Sequence, residues 1–425
     1  MALRTKANHR YANTISFFMS LSRSLVTIFL PLYFFHIGIN LVNIGMIVAV
    51  SVVATNIAKL FAGSFVDYYD RRRVMFTGGL IMALANLSLV FFTTELFFIT
   101  RGIIFGIGAS IFYPAYLSYV WEISAKSKLS TYNAVRSVYR VLGVILAPLL
   151  GGLIIFLFGF ITLFYTSFFI GIGTLSLLFF LTDIKHKNKI PSVSKIIENY
   201  QSILITRGFA LLSFIKLIQS SITIIWYTFI LIYLRNIAGY EFWQAGLIVM
   251  LSSMVLLPFQ LPVGRFSDNF HSKWLIIPGF FMIGFFMSLF FMFDHILAYA
   301  LAMGGFAVGI LLIYRPMYVR VAEMTPNSKH GQAIAIFETL TWGLAAIALF
   351  YAGEFAELYS IKAVMLFLSS FSIGIGLILV AFHRKISWKY GNHLRRHHLV
   401  RLYTPIDQII DSFPELSKGF KKTRL

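Results

Sequence analysis

The 425-residue chain contains no cysteine. This excludes a disulfide framework, a cysteine-ligated zinc site and a thiol nucleophile, and leaves the redox compartment open. Acidic residues are scarce: 16 Asp and Glu stand against 36 Lys and Arg, a formal charge of +20. Charged residues of both signs make up 12% of the chain, 58% is hydrophobic, and mean hydropathy is +0.80. A soluble domain of this length cannot hide that much apolar surface, so the solvent implied is a bilayer. An excess of positive charge can mark nucleic-acid binding, but in a membrane chain it reports loops facing the cytoplasm.

A spanning helix needs roughly 20 apolar residues. Such runs lie at 11–36, 43–66, 74–92, 96–121, 134–158 and 161–181, and again at 208–234, 244–266, 274–293, 295–321, 332–352 and 363–382. The basic opening MALRTKANHR precedes an apolar run too long for a signal-peptide core, so the first span is expected to be retained. The expectation is an all-α integral membrane protein with about 12 transmembrane helices in two pseudo-symmetric six-helix bundles. One half covers 1–182, a basic linker 183–207, the second half 208–383, and a basic tail 384–425. With both termini placed in the cytoplasm, the inner loops carry Arg71, Arg72, Arg73, Lys126, Lys128, Lys273 and Lys329. The outer loops hold Glu95, Glu241, Asp294, Glu354 and Glu357 instead. That positive-inside bias sets a multi-pass cell-membrane topology and assigns the +20 to loops rather than to nucleic acid. In the tail, Ile406, Ile409, Ile410, Phe413 and Leu416 recur at helical spacing, as in a segment lying on anionic lipid.

The halves echo each other. Gly63-Ser-Phe-Val-Asp67 and Gly264-Arg-Phe-Ser-Asp268 share one offset, 201 residues (264−63 and 268−67). Tyr113-Pro114 and Tyr314-Arg315-Pro316 correspond at nearly the same offset, with the prolines 202 apart (316−114). Repeats of six helices are how many secondary transporters are built, with the substrate site near the midplane between them.

The loop Gly63-x-Phe65-x-Asp67-x-x-Asp70-Arg71-Arg72, with its partner Gly264-x-Phe266-x-Asp268 followed by Lys273, resembles the hallmark loop of the major facilitator superfamily. It departs from that pattern at Asp70, where the family has glycine. The resemblance implies a twelve-helix transporter in which glycine lets spans two and eleven approach closely, and an aspartate caps a neighbouring helix. In span five, Gly143-Val-Ile-Leu-Ala147-Pro148-Leu-Leu-Gly151-Gly152 is similar to the glycine–proline motif of the drug:proton antiporter branch, with Ala147 in place of a glycine. That likeness implies proton-coupled efflux; the same residues read equally well as a tight helix-packing spot. Arg101 stands five residues before Gly106, where the family has a spacing of four, and its place near the outer surface also permits snorkelling.

Ionisable groups in mid-span are expensive and face a cavity or a partner. Asn13, Ser16, Ser20, Arg23 and Thr27 form one helical stripe on span one, and Lys216, Gln219, Ser220, Thr223 and Tyr227 form another on span seven. The resemblance puts both spans on the central cavity, which makes Arg23, Lys216, Gln219, Arg315 and Glu338 the candidate cavity residues. Glu338 reads either as a proton carrier or as the partner of an arginine such as Arg140. Deep carboxylates are missing from the first half, so the cavity reads as cationic.

The function expected is secondary active transport of a small organic solute by alternating access, by a monomer, with no cofactor or metal. Two specific forms compete: proton-coupled efflux of amphipathic compounds, and import or exchange of an organic anion. From a different class, Asp67-x-x-Asp70 resembles half the metal-diphosphate site of a membrane prenyl or phosphoalcohol transferase. A magnesium site needs a second acidic cluster, and Asp268 is followed by His271. A sensor that keeps the fold without moving solute is a further alternative.

Overall fold

The computed structural model describes residues 2–124, 129–182, 200–206, 208–269, 272–325 and 330–382, all within one compact unit, Met1–Lys385. The side chains of 2–7, 62–68, 129–131, 134, 268–269 and 330 are not described. The expectations for the tail, for most of the linker, for Lys126, Lys128 and Lys329, and for the Asp67 and Asp268 carboxylates therefore lie outside the described residues.

Every regular element among the described residues is helical. This is the arrangement in which each backbone group finds its partner within its own segment, as hydrocarbon requires. Among the described residues, eleven helices are long and apolar enough to cross a membrane. One of them, Val135–Phe180, is 46 residues long and reverses at Gly159, whose φ of 81° breaks the helical path. A φ of that sign costs least at glycine, which has no Cβ. Counting its two arms, the described residues make twelve crossings, and the turn falls between the runs 134–158 and 161–181.

The first four crossings are Ala2–His36, Leu41–Tyr68, Arg71–Leu87 and Glu95–Ile123; the fifth and sixth share Leu129–Leu177. The seventh is Phe209–Ile232. The eighth runs from Phe242–Leu256 through a tight turn at Pro258 into Gln260–Asn269. Lys273–Phe290, Ile296–Met324, His330–Leu358 and Ile361–Ala381 complete the set. The side where the first crossing begins is termed the amino side, and the opposite face the distal side.

Packing repeats with the sequence. A Cβ on Gly78 of the third crossing would lie 2.8 Å from the Gly108 carbonyl on the fourth, and one on Gly279 would lie 2.9 Å from the Gly309 carbonyl. Both glycine pairs are 201 residues apart (279−78 and 309−108). Close approach of backbones is what drives association where lipid removes the hydrophobic gain. Buried hydroxyls repeat as well. Asn86 donates to Ser167 at 2.9 Å, and the equivalent Ser288 and Ser369 lie 2.6 Å apart.

The second crossing packs along the eleventh, the fifth against the eighth, and the first against the seventh. On the distal side these contacts are tight. The Leu41 amide donates to Glu357 at 2.9 Å, and a Cβ on Gly353 would meet the Leu41 carbonyl at 2.7 Å. Gly45 faces the Leu349 carbonyl, so spans two and eleven do approach through small residues. The glycines seen there are Gly45 and Gly353, near the distal end. Phe242 caps the same face, its ring 5.5 Å from Phe160 and 6.4 Å from His36. The distal face is closed in this conformation.

Candidate solute cavity

Beneath the distal seal lies a cavity of about 370 Å³. Its wall is built by the first, second, fourth, seventh and eleventh crossings. The apolar part includes Leu30, Phe34, Ile47, Val52, Phe98, Phe105, Ile224 and Trp342; the polar part includes Thr27, Ser51, Thr55, Asn56, Thr223 and Thr228. Three cations reach it, Arg23, Lys59 and Arg101, and no carboxylate is among the residues lining it.

Each cation is held differently. Arg23 is exposed to the interior space and stands 5.2 Å over the ring of Tyr113. Lys59 lies 3.3 Å from Glu338 Oε2 on the eleventh crossing and 3.3 Å from Asn56 Oδ1. These are long for charge-assisted hydrogen bonds, which run near 2.7–2.9 Å. Glu338 is gripped more firmly by the Tyr318 hydroxyl, at 2.6 Å. Arg101 is buried, donates through Nε to the Ala85 carbonyl at 3.2 Å and through Nη2 to Asn86 Oδ1, and stacks 4.6 Å over Phe105. Asn86 is oriented in turn by Ser167, which donates to the Ser22 carbonyl at 2.9 Å. A polar ladder across four helices therefore fixes the Arg101 guanidinium without a carboxylate.

The seventh-crossing stripe divides. Thr223 and Tyr227 line the cavity, whereas Lys216 is fully buried, donating to Gln219 Oε1 and Ser220 Oγ at 2.8 Å each. Its ammonium also stands 4.9 Å over Trp342, whose ring faces the cavity. Lys216 and Gln219 thus form a neutral-partnered cluster one layer behind the wall. Arg315 is exposed beside Tyr314 in the tenth crossing. The Glu338 carboxylate has Lys59 as its ion-pair partner rather than Arg140, because the second crossing, not the fifth, packs along the eleventh. Arg101 is buried rather than snorkelling to the surface.

The model of the Major Facilitator Superfamily matches residues 13–345 and, in a second placement, 221–402. The chain belongs to the major facilitator superfamily. An uncharacterized transporter of this type from Methanocaldococcus jannaschii is 25% identical over 355 residues, covering 82% of this chain and 91% of that one. Among solved structures, the nucleoside transporter NupG aligns with a TM-score of 0.74 at 14% identity, over 90% of this chain and 99% of that one. A peptide transporter of the POT type, solved with sulfate, aligns at 0.71 and 13% identity, over 89% and 94%. At that identity the likeness is one of fold. Membership of this family makes the protein a transporter rather than an enzyme.

The remaining motif residues of this superfamily member occupy specific places. Asp70, the departure from the family loop, caps the third crossing by accepting from the Arg72 amide at 3.0 Å. Arg71 is buried against Glu122 of the fourth crossing at 3.2 Å, and Arg72 lies 5.1 Å over Phe179. Lys273 stands 5.3 Å over Trp274, and Gly264 has open space where a Cβ would go. On the fifth crossing, a Cβ on Gly143 would meet the Phe17 carbonyl at 2.5 Å. One on Gly151 would meet the Phe29 ring at 2.7 Å, and one on Gly152 would lie 2.9 Å from Trp243 Cα. The Pro148 carbonyl abuts Gly246 of the eighth crossing. This segment is thus the tight seam joining the first, fifth and eighth crossings.

Lys59 and Asn56 were not singled out by sequence. The signal available was Lys59 inside the apolar run of the second crossing, at helical spacing from Asn56, Thr55 and Ser51.

Proposed function

We propose that this superfamily member is an alternating-access transporter of a small organic solute bearing an anionic or electron-rich group. The observation that carries the reading is the cavity wall: Arg23, Lys59 and Arg101 reach it, no carboxylate lines it, and of the three only Lys59 is paired with a carboxylate, Glu338 behind the wall. Cations in a low-dielectric enclosure attract an anion far more strongly than they would in water. A cavity of about 370 Å³ accommodates a small molecule, and its aromatic residues supply the apolar body typical of ligand sites. The halves 1–182 and 208–383 are the bodies that rock, with both termini on the cytoplasmic side as the basic loops indicate, and the protein acts as a monomer.

A second reading, proton-coupled efflux of amphipathic compounds, draws on the apolar share of the same wall and on the Pro148 segment. Glu338, between Lys59 and Tyr318, is the carboxylate it would use. Flux in proteoliposomes under imposed pH and voltage gradients tests both, with anionic, neutral and cationic solutes scanned in parallel. The first reading expects uptake of anions; transport confined to lipophilic cations would overturn it.

A further inference from the structure

The Tyr113-Pro114 and Tyr314-Arg315-Pro316 segments are a repeated feature that the cavity itself does not use. Each tyrosine lies 18 residues from the distal start of its helix (113−95 and 314−296). At 1.5 Å per residue both sit about 27 Å below the distal ends, on the amino side of the cavity. Arg140 lies at the same level of the fifth crossing, 19 residues before the turn at Gly159 (159−140). Arg136, one turn away, Arg23 on the first crossing, and the two tyrosines all act electrostatically on Arg140. No carboxylate of the described residues belongs to that set. Glu338, which neighbours Tyr314, is already engaged by Tyr318 and Lys59.

Arg23 lines the cavity and Arg140 is exposed, while the Nε of Arg136 is buried without a hydrogen-bond partner, its guanidinium 5.9 Å from the Tyr116 ring. Three guanidinium groups gathered on the amino side of the cavity repel one another. Such an arrangement is stabilised when an anion with several acceptor oxygens enters, because each planar fork can grip a carboxylate through two parallel bonds.

We propose that Arg140, at the level of the repeat-related Tyr113 and Tyr314 and backed by Arg136, is a second anion station, and that the solute is a small organic dianion. One acidic group is taken by Arg23 and the cavity cations, the other by Arg140 and Arg136. The axial rise from Arg23, 13 residues from the distal end of its helix (36−23), to the Arg140 level is about 8 Å. A short dicarboxylate spans that gap with Arg23 shared between the stations. The inference rests on the anion reading of the cavity and names its substrate class.

The test compares succinate with butyrate, which share a four-carbon chain and differ by one carboxylate, in binding to the purified full-length protein. Succinate is expected to bind at least about tenfold more tightly, the worth of one charge-assisted contact. Arg140→Gln and, separately, Arg136→Gln abolish the preference for succinate over butyrate; Arg140→Lys retains part of the preference. Unchanged helical circular dichroism and a monodisperse elution profile in detergent certify that each variant is folded. Equal binding of both ligands to the parent protein, or a succinate preference that survives both glutamine variants, overturns the dianion proposal while leaving the anion reading intact. Absence of binding by either carboxylate, with protection by a lipophilic cation, overturns both.

Discussion

Replacing Glu338 by glutamine isolates one electrostatic strap across the cavity. The Lys59–Glu338 pair joins the second crossing to the eleventh at 3.3 Å, beside the hydrogen bond from Thr339 to the Asn56 carbonyl at 3.0 Å. Glutamine keeps the acceptor for Tyr318 and removes only the charge. At this separation an effective dielectric near 20 gives an upper bound of about 5 kcal/mol. The side chains are 37% and 27% exposed, and solvent screening reduces the worth of the pair to about 1 kcal/mol. If the pair belongs to the distally closed state, its loss changes the closed-to-open ratio about fivefold. The cysteine-free sequence allows spin labels to be placed without background. Thr93→Cys and Tyr359→Cys, exposed in distal turns on either side, report opening as a longer distance in pulsed dipolar spectroscopy. Glu338→Gln should enlarge the long-distance population, and the exchanged pair Lys59→Glu with Glu338→Lys should restore the original one. An unchanged distribution, or a shift toward the closed distance, would refute the strap.

Three further outcomes follow from packing and polar satisfaction. Gly78→Val drives a Cβ to 2.8 Å from two backbone atoms of the fourth crossing and should lower the thermal unfolding midpoint in detergent, at a cost of about 1–3 kcal/mol. Gly173→Ala, with nothing within 4 Å, should leave the midpoint unchanged. Arg101→Leu strips the partner from buried Asn86 Oδ1 and should cost about 1–3 kcal/mol in the same assay, partly recovered when Asn86 is also made leucine. Gly246→Leu places a side chain against the Pro148 carbonyl and should abolish solute flux by preventing distal closure, measured against Gly343→Ala, which has open space.

The crossings were legible because hydrocarbon imposes a length that soluble helices do not share, and the turn at Gly159 was marked by a lapse between two apolar runs. The cavity was legible only where polarity repeated on one helix. Arg23 stands on such a stripe and reaches the interior. Lys216 stands on another, yet its hydrogen bonds run to Gln219 and Ser220 behind Trp342. A polar stripe reports a face shielded from lipid; it does not say whether water, solute or another helix covers that face. Glu338 was recognisable as a costly group, but its partner depends on which helices are neighbours, a fact carried by tertiary packing alone. Arg101 shows the same limit: its burial comes from Asn86 on an adjacent helix, which no spacing within the fourth crossing reveals.

The most direct measurement is counterflow of a labelled short-chain carboxylate in proteoliposomes, comparing the parent protein with Arg23→Ala at matched protein content. A cationic cavity predicts exchange by the parent protein and a loss of about tenfold or more in the variant, because one charge-assisted contact is worth that factor. Exchange of lipophilic cations in place of carboxylates, or carboxylate exchange that is indifferent to Arg23, would contradict it.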